Sequence, residues 1–240
     1  MNPSLFGSRA ISGLTALVTA AGLGFEALAL AAPTYAAVTV DCGTGGDVQL
    51  ADANEDYLLS GSCGTVTVTA ANATVTVPSA AVVRVLSANT TVTVASSLQS
   101  AEVSQGNADL VVTGSVDSLS VAGANATANV TGGVSTLTIG GGNSEVTTTG
   151  ALGTAKIVAS NASLVAPSAT TVTIQGSNND LRIGVLRQLT IKGANNGATL
   201  QKAKKVSVKG ANNTVKVKKG KTTVKVSGAN NHIKVKKRIK

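Results

Sequence analysis

Asparagine returns along this chain at positions 54, 72, 89, 107, 125, 143, 161, 178, 195, 212 and 230, always 17 or 18 residues apart. So regular a period leaves few folds open. A unit that short cannot bury its own apolar face, so each must stack on its neighbours. Apolar or small residues recur six and four places before each Asn and three and five places after it. Val66/Val68 with Val75/Val77 and Val206/Val208 with Val215/Val217 are examples. A spacing of two is the strand period, so each unit reads as two short strands meeting at an Asn corner.

Nine places before most corners lies a further small or apolar residue, among them Cys63, Ala80, Leu98, Val116, Val134, Leu152, Ala169, Leu186 and Ala203. It adds a third inward point on a short linking side. The residue just before each Asn is Ala, Gly or Ser, and Gly123, Gly141, Gly176, Gly193, Gly210 and Gly228 stand two before it. Gly and Asn suit sharp corners because both tolerate positive φ. The pattern predicts an all-β, single-domain β-solenoid, a parallel β-helix of about eleven coils. Coils about 4.8 Å apart would make a rod of roughly 50 Å, with the corner asparagines hydrogen-bonded in a ladder. An antiparallel sandwich also alternates inward and outward residues, but rarely keeps one spacing so constant. A left-handed helix of hexapeptides needs steps of six, whereas the inward steps here run three, two, seven and two.

The first 36 residues have a different composition. Arg9 precedes a small and apolar run from Ala10 to Phe25, a second run follows at 27–32, and small residues flank a cut after Ala36. This reads as a secretory signal peptide. Glu26 interrupts the run, which argues against retention as a membrane anchor and leaves no transmembrane span after cleavage. Export suits a disulfide between Cys42 and Cys63, the two cysteines of the chain, rather than two buried free thiols. The predicted organisation is a signal peptide at 1–36, an N-terminal cap and first coil at 37–63, coils over 64–235, and a basic tail at 236–240.

Charge is split along the axis. Residues 37–180 hold ten acids and two bases, whereas 181–240 hold seventeen bases and no acid. Lys192 and Lys209 occupy equivalent outward places in adjacent coils, as do Lys216 and Lys234. Like charges on neighbouring strands cost stability, so their retention points to an anionic partner. Lys192, Lys209, Lys216, Lys218, Lys225, Lys234 and Lys236 are the candidate anion-binding residues. The partner classes are an anionic cell-envelope polymer, an acidic lipid, or the acidic half of a second copy. The plainer reading is that these lysines solubilise the last coils and blunt the terminal edge. Double-stranded nucleic acid would accept such a patch electrostatically, but no element that reads bases is recognisable.

Other chemistries find little support. Past residue 36 the chain keeps one aromatic ring, Tyr57, so stacking platforms for bases or sugars are excluded. One histidine, His232, and scattered carboxylates argue against a metal centre or a triad hydrolase, and no cofactor is expected. Thr74/Thr76 and Thr91/Thr93 repeat a T-x-T array of the ice-binding kind, yet the equivalent places later become Asp109/Val111 and Asp180/Arg182. Asp109, Glu145 and Asp180 recur on alternate coils, about 10 Å apart. That is slightly beyond inverting-glycosidase spacing, and neither an activated base nor a ring platform accompanies them. Asn72, Asn89, Asn125, Asn129, Asn161 and Asn212 head N-x-S/T sequons, but most are corners where a glycan would disturb the stack. The glycines at 43, 45 and 46 do not open a helix, so no phosphate loop is supported.

The strings Thr-Ile-Gln-Gly-Ser-Asn-Asn (173–179), Thr-Ile-Lys-Gly-Ala-Asn-Asn (190–196), Ser-Val-Lys-Gly-Ala-Asn-Asn (207–213) and Lys-Val-Ser-Gly-Ala-Asn-Asn (225–231) carry a family likeness. Over about 170–235 the chain resembles exported actinobacterial proteins known as a domain of unknown function with V-x-V-x-G-x-N-N repeats. The resemblance implies a secreted or cell-envelope location and transfers no catalytic residue. The expected function is a non-enzymatic, exported β-solenoid that binds at the cell surface or envelope through its basic C-terminal third. A structural, self-assembling rod is the alternative.

Overall fold

The alternating residues of each repeat form strands that pair only with the windings before and after them. The computed structural model describes residues 36–239. Apart from Ala36, the leader read at 1–36 lies outside the described residues. Two thirteen-residue strands, Val38–Leu50 and Asp56–Val68, come first. Four-residue strands (Thr74–Val77, Thr91–Val94, Asp109–Val112, Thr127–Val130, Glu145–Thr148) then alternate with six-residue strands (Ala80–Val85, Leu98–Val103, Val116–Val121, Val134–Ile139, Leu152–Ile157). From Ser163 each winding is one long strand: Ser163–Ile174, Asp180–Ile191, Gly197–Val208 and Thr214–Val226, with His232–Ile239 last. Residues 236–239, expected as a tail, therefore continue the final strand.

Every pairing is parallel, and residues one winding apart are partners. One file runs Val38, Tyr57, Val75, Val92, Leu110, Ala128, Val146, Leu164, Leu181, Ala198, Val215, Ile233. The molecule is thus a parallel β-solenoid. The change in strand length has a local cause. Between Asn89 and Asn161, where corners lie 18 apart, three residues such as Thr113–Ser115 separate the short strands, and the 17-residue winding from Asn72 leaves two, Pro78 and Ser79. Where Asn161, Asn178 and Asn195 open windings of 17, the missing residue comes from that bend and the strand runs through it.

Most of the predicted inward places are buried, including the linking-side residues Leu98, Val116, Val134 and Leu186; the exceptions lie in the end windings, where Val48, Ile233 and Val235 are partly buried and Val226 is exposed. A further inward place, immediately after the corner Asn, was not foreseen. Ala73, Thr90, Ala108, Ala126, Ser144, Ala162, Asn179, Asn196 and Asn213 fill it and are all buried. The apolar core runs the length of the described chain. At its two ends Val40, Val48, Ile233 and Val235 pack against it while only partly buried.

All eleven corner asparagines have positive φ, from 53° at Asn72 to 62° at Asn54. This is the left-handed conformation that Asn tolerates better than other residues with a Cβ. The corner N–H groups bind the next winding, as when Asn178 donates to the Ala194 carbonyl at 3.1 Å and Asn195 to that of Ala211 at 3.0 Å. The glycines two places earlier answer a different need from the one expected. Of these only Gly228 has positive φ. Elsewhere the stacking is too close for a side chain: a Cβ on Gly193 would lie 1.8 Å from the Gly176 carbonyl oxygen.

The expected amide ladder forms over part of the chain. Asn72, Asn89, Asn107, Asn125 and Asn143 each donate through Nδ2 to the Oδ1 of the preceding corner, at 3.0–3.2 Å. Among the described residues this outer row ends at Asn143. The corners from Asn161 to Asn230 keep the backbone turn without the side-chain bond. A second row, inside the solenoid, takes over. Asn179 donates to Asn196 Oδ1, Asn196 to Asn213 Oδ1 and Asn213 to Asn231 Oδ1, each through both its backbone N–H and its Nδ2, at 2.9–3.1 Å. The same Nδ2 groups bind carbonyls one winding back, Asn179 to Ala159, Asn196 to Gly176 and Asn213 to Gly193, as does that of Asn231 to Gly210. Thr90 and Ser144 reach the equivalent carbonyls of Ala70 and Gly123 through their hydroxyls.

At the N-terminal end, Cys42 and Cys63 form the predicted disulfide, with Cα atoms 5.0 Å apart. It ties the first winding to the second. Nearby, the buried Tyr57 hydroxyl accepts from the Asp52 N–H at 3.0 Å and donates to the Asp52 carbonyl at 2.9 Å.

Candidate anion-binding face

Every lysine and arginine from 182 to 238 is exposed, including consecutive ones such as Lys204 and Lys205 that strict alternation would not leave outside together. Their distribution differs from the one the sequence suggested. The seven candidates separate into two groups. Lys216 and Lys234 are register partners, with Lys218 and Lys236 two residues beyond them on the same strands. Lys209 and Lys225 instead flank a shallow hollow with Ser207 and Ser227. Lys192 stands one winding before Lys209, at the same corner approach.

The densest collection is one that alternation alone did not reveal. It lies on the side joining the two strand segments of each winding. Lys202 is the register partner of Lys219, and Lys221 of Lys237. Lys204, Lys205 and Arg187 lie on the same side, the last beside Lys204 around a hollow that also includes Ser168 and Thr170. Between Lys202 and Lys205 the register slips by one residue, and Gly220, with φ +86°, occupies the bulge opposite. The slip brings Thr222 inward, fully buried, where its hydroxyl donates to the Ala203 carbonyl at 2.9 Å. Lys219 and Lys221 are left projecting on either side of Gly220. The extra residue in this winding was countable in the spacing of Asn212 and Asn230; its location was not.

These cations have little to neutralise them within the chain. The salt bridges among the described residues are Arg84 with Glu102 at 3.2 Å and Arg182 with Asp180 at 2.9 Å, both solvent-exposed. No acid follows Asp180. Arg238 uses its guanidinium on the Val224 carbonyl, at 3.2 Å. Two like charges about 5 Å apart repel by about 1 kcal/mol even in water. The face is therefore a closely spaced array of point charges. It suits an extended anion contacted through many phosphates or carboxylates better than one small ligand held in a pocket.

Asp109 and Glu145 share an outward file, with Thr127 between them, and Ser163 separates Glu145 from Asp180. Asp180 is engaged with Arg182, and Asp109 and Glu145 are exposed. The array thus places successive acids two windings apart, as their spacing suggested. Among the described residues no group of three or more His, Cys, Asp or Glu is placed to hold a metal. No helix there is long and apolar enough to cross a membrane.

A parallel β-solenoid with an internal amide row and a cationic C-terminal third is the class this geometry defines. Residues 174–230 match the model of a family described as "Protein of unknown function (DUF3060)". The matched stretch contains Asn179, Asn196 and Asn213 of the inner row and much of the basic face. No curated protein and no solved structure shows significant similarity to the chain.

Proposed function

We propose that this protein is exported by cleavage of residues 1–36 and acts without catalysis as a binding module of the cell surface or envelope. Its cationic windings hold an anionic polymer or lipid headgroup surface. The observation that carries this reading is the in-register stacking of unneutralised cations, Lys202 over Lys219 and Lys216 over Lys234. A fold that needed only solubility or a protected edge would be served by a few charges on the last strand. An added anion relieves the repulsion between windings, and each lysine near an anionic surface contributes on the order of 1 kcal/mol.

The test is retention on envelope material from the producing cell and on vesicles with or without acidic lipid. Wild type is compared with a variant carrying glutamine at Lys202, Lys204, Lys205, Lys219 and Lys221. The expected result is at least a hundredfold weaker retention of the variant at low salt, with wild-type retention falling as salt rises. Equal retention of a folded variant would sink the reading. Binding to acidic vesicles but not to delipidated wall would assign the partner to lipid.

A further inference from the structure

The two ends of the solenoid match each other. A solenoid normally closes its apolar column with a polar capping element, and at both described ends part of that column is accessible. At the first winding Val40 and Val48 are partly buried against the core and Val38 is 39% exposed; at the last, Ile233 and Val235 are partly buried and Ile239 is 39% exposed. Among the described residues each terminal strand pairs on one side only, Val38–Leu50 with the second winding and His232–Ile239 with the one before it. Within the described residues both edges therefore leave a row of backbone donors and acceptors available for strand addition.

The two edges also belong to the same files. Val38 begins the file that Ile233 ends, and Thr39 begins the one that Lys234 ends. A second copy placed by the solenoid's own winding step would thus set Ile233 against Val38, Val235 against Val40 and Lys236 against Asp41. The charges agree with that placement. The first winding and its corner carry Asp41, Asp47, Asp52 and Glu55, whereas the last strand carries Lys234, Lys236, Lys237 and Arg238.

We propose that the protein assembles head to tail. The His232–Ile239 edge of one copy would add in parallel to the Val38–Leu50 edge of the next, continuing the core and the sheet in an open filament. The contact is heterologous, so it does not close after two copies. This inference shares Lys234 and Lys236 with the anion-binding reading, but its test leaves the cations tested there, Lys202 to Lys221, untouched.

The full chain, expressed in a host that exports it, is followed by sedimentation velocity at low and high salt. Separately, Thr39→Cys and Lys234→Cys are combined and allowed to oxidise. The expected results are species that grow with protein concentration and shrink with salt, and a reducible ladder of multimers from the double variant alone. Lys236→Glu should weaken association about tenfold, and adding Asp41→Lys should restore it. A monomer at every concentration in low salt would overturn the proposal. So would oligomers that ignore Lys236→Glu and yield no ladder.

Discussion

Asn196 accepts two hydrogen bonds from Asn179 through a single Oδ1, which lies 2.9 Å from the backbone nitrogen and 3.0 Å from Nδ2. Its own Nδ2 faces two acceptors, Gly176 O and Asn213 Oδ1, both at 3.1 Å. Asn196→Asp keeps the first pair of bonds but turns a carboxylate oxygen toward those two acceptors in a dry interior. A loss of about 3 kcal/mol is expected at neutral pH, from the missing donor and the buried charge. In acid the protonated carboxyl regains a donor and the deficit should shrink. Urea unfolding at pH 4 and pH 7 measures both.

The neighbouring Asn195 serves a different purpose, because its side chain makes no hydrogen bond and its φ is 56°. Asn195→Gly should therefore leave stability within about 0.5 kcal/mol of wild type, since glycine adopts that conformation freely. Asn195→Val should cost about 2 kcal/mol, because a β-branched residue is strained there. Thermal melts of the two variants separate backbone geometry from side-chain bonding.

Gly193→Ala would place a methyl group 1.8 Å from the Gly176 carbonyl oxygen, so two windings must move apart. The expected cost is about 3 kcal/mol, more than a glycine-to-alanine change in open structure could produce. The strain should also appear as faster hydrogen exchange at Lys192 and Lys209, whose N–H groups donate to the preceding winding beside this contact.

Reduction of Cys42–Cys63 reopens a loop with a sequence separation of 21. Loop entropy places its contribution at about 3 kcal/mol. Because windings contact only their neighbours, the loss should be local. Hydrogen exchange after mild reduction should quicken in 38–50 and leave 180–226 unchanged; uniform quickening would contradict nearest-neighbour stability.

Burial raises the ionisation point of the Tyr57 phenol above its ordinary value. The backbone hydrogen bonds with Asp52 act in the opposite sense, and the Asp52 and Glu55 carboxylates add to the rise. A group whose folded pKa is raised stabilises the fold below its unfolded pKa, near 10, and that stability is lost as pH climbs through the folded value. Alkaline titration should therefore loosen the first two windings beyond about pH 10. Tyr57→Phe should remove that alkaline step while lowering stability at pH 7 by about 1 kcal/mol through the lost bonds to Asp52. Denaturant midpoints across pH 7 to 11 measure both effects.

The period, the strands and the left-handed corners were legible because each depends on spacing or on one residue's tolerance for positive φ. The inner amide row was not. A search for inward positions follows apolar residues, and Asn179, Asn196 and Asn213 are polar groups buried because each finds its partners one winding away. The doublets at 178–179, 195–196 and 212–213 were the available signal, with the second asparagine of each facing in. For the candidate site, charge content was readable but its grouping was not. Lys202, Lys204, Lys205, Lys219 and Lys221 converge through the linking side and the Gly220 bulge, and neither follows the period-two rule that picked out Lys216 and Lys234.

The exchange of an outer file of amides for an inner one has a consequence for how this molecule can drift. Alanine, serine and threonine all fit after the corner in the first half, so that half can wander chemically while its shape persists. Past Asn178, a change at any link strands donors on one side and acceptors on the other, and spelling is tied to form. Residues 174–230, where kinship is still readable, include the stretch in which the interior dictates letters as well as contour.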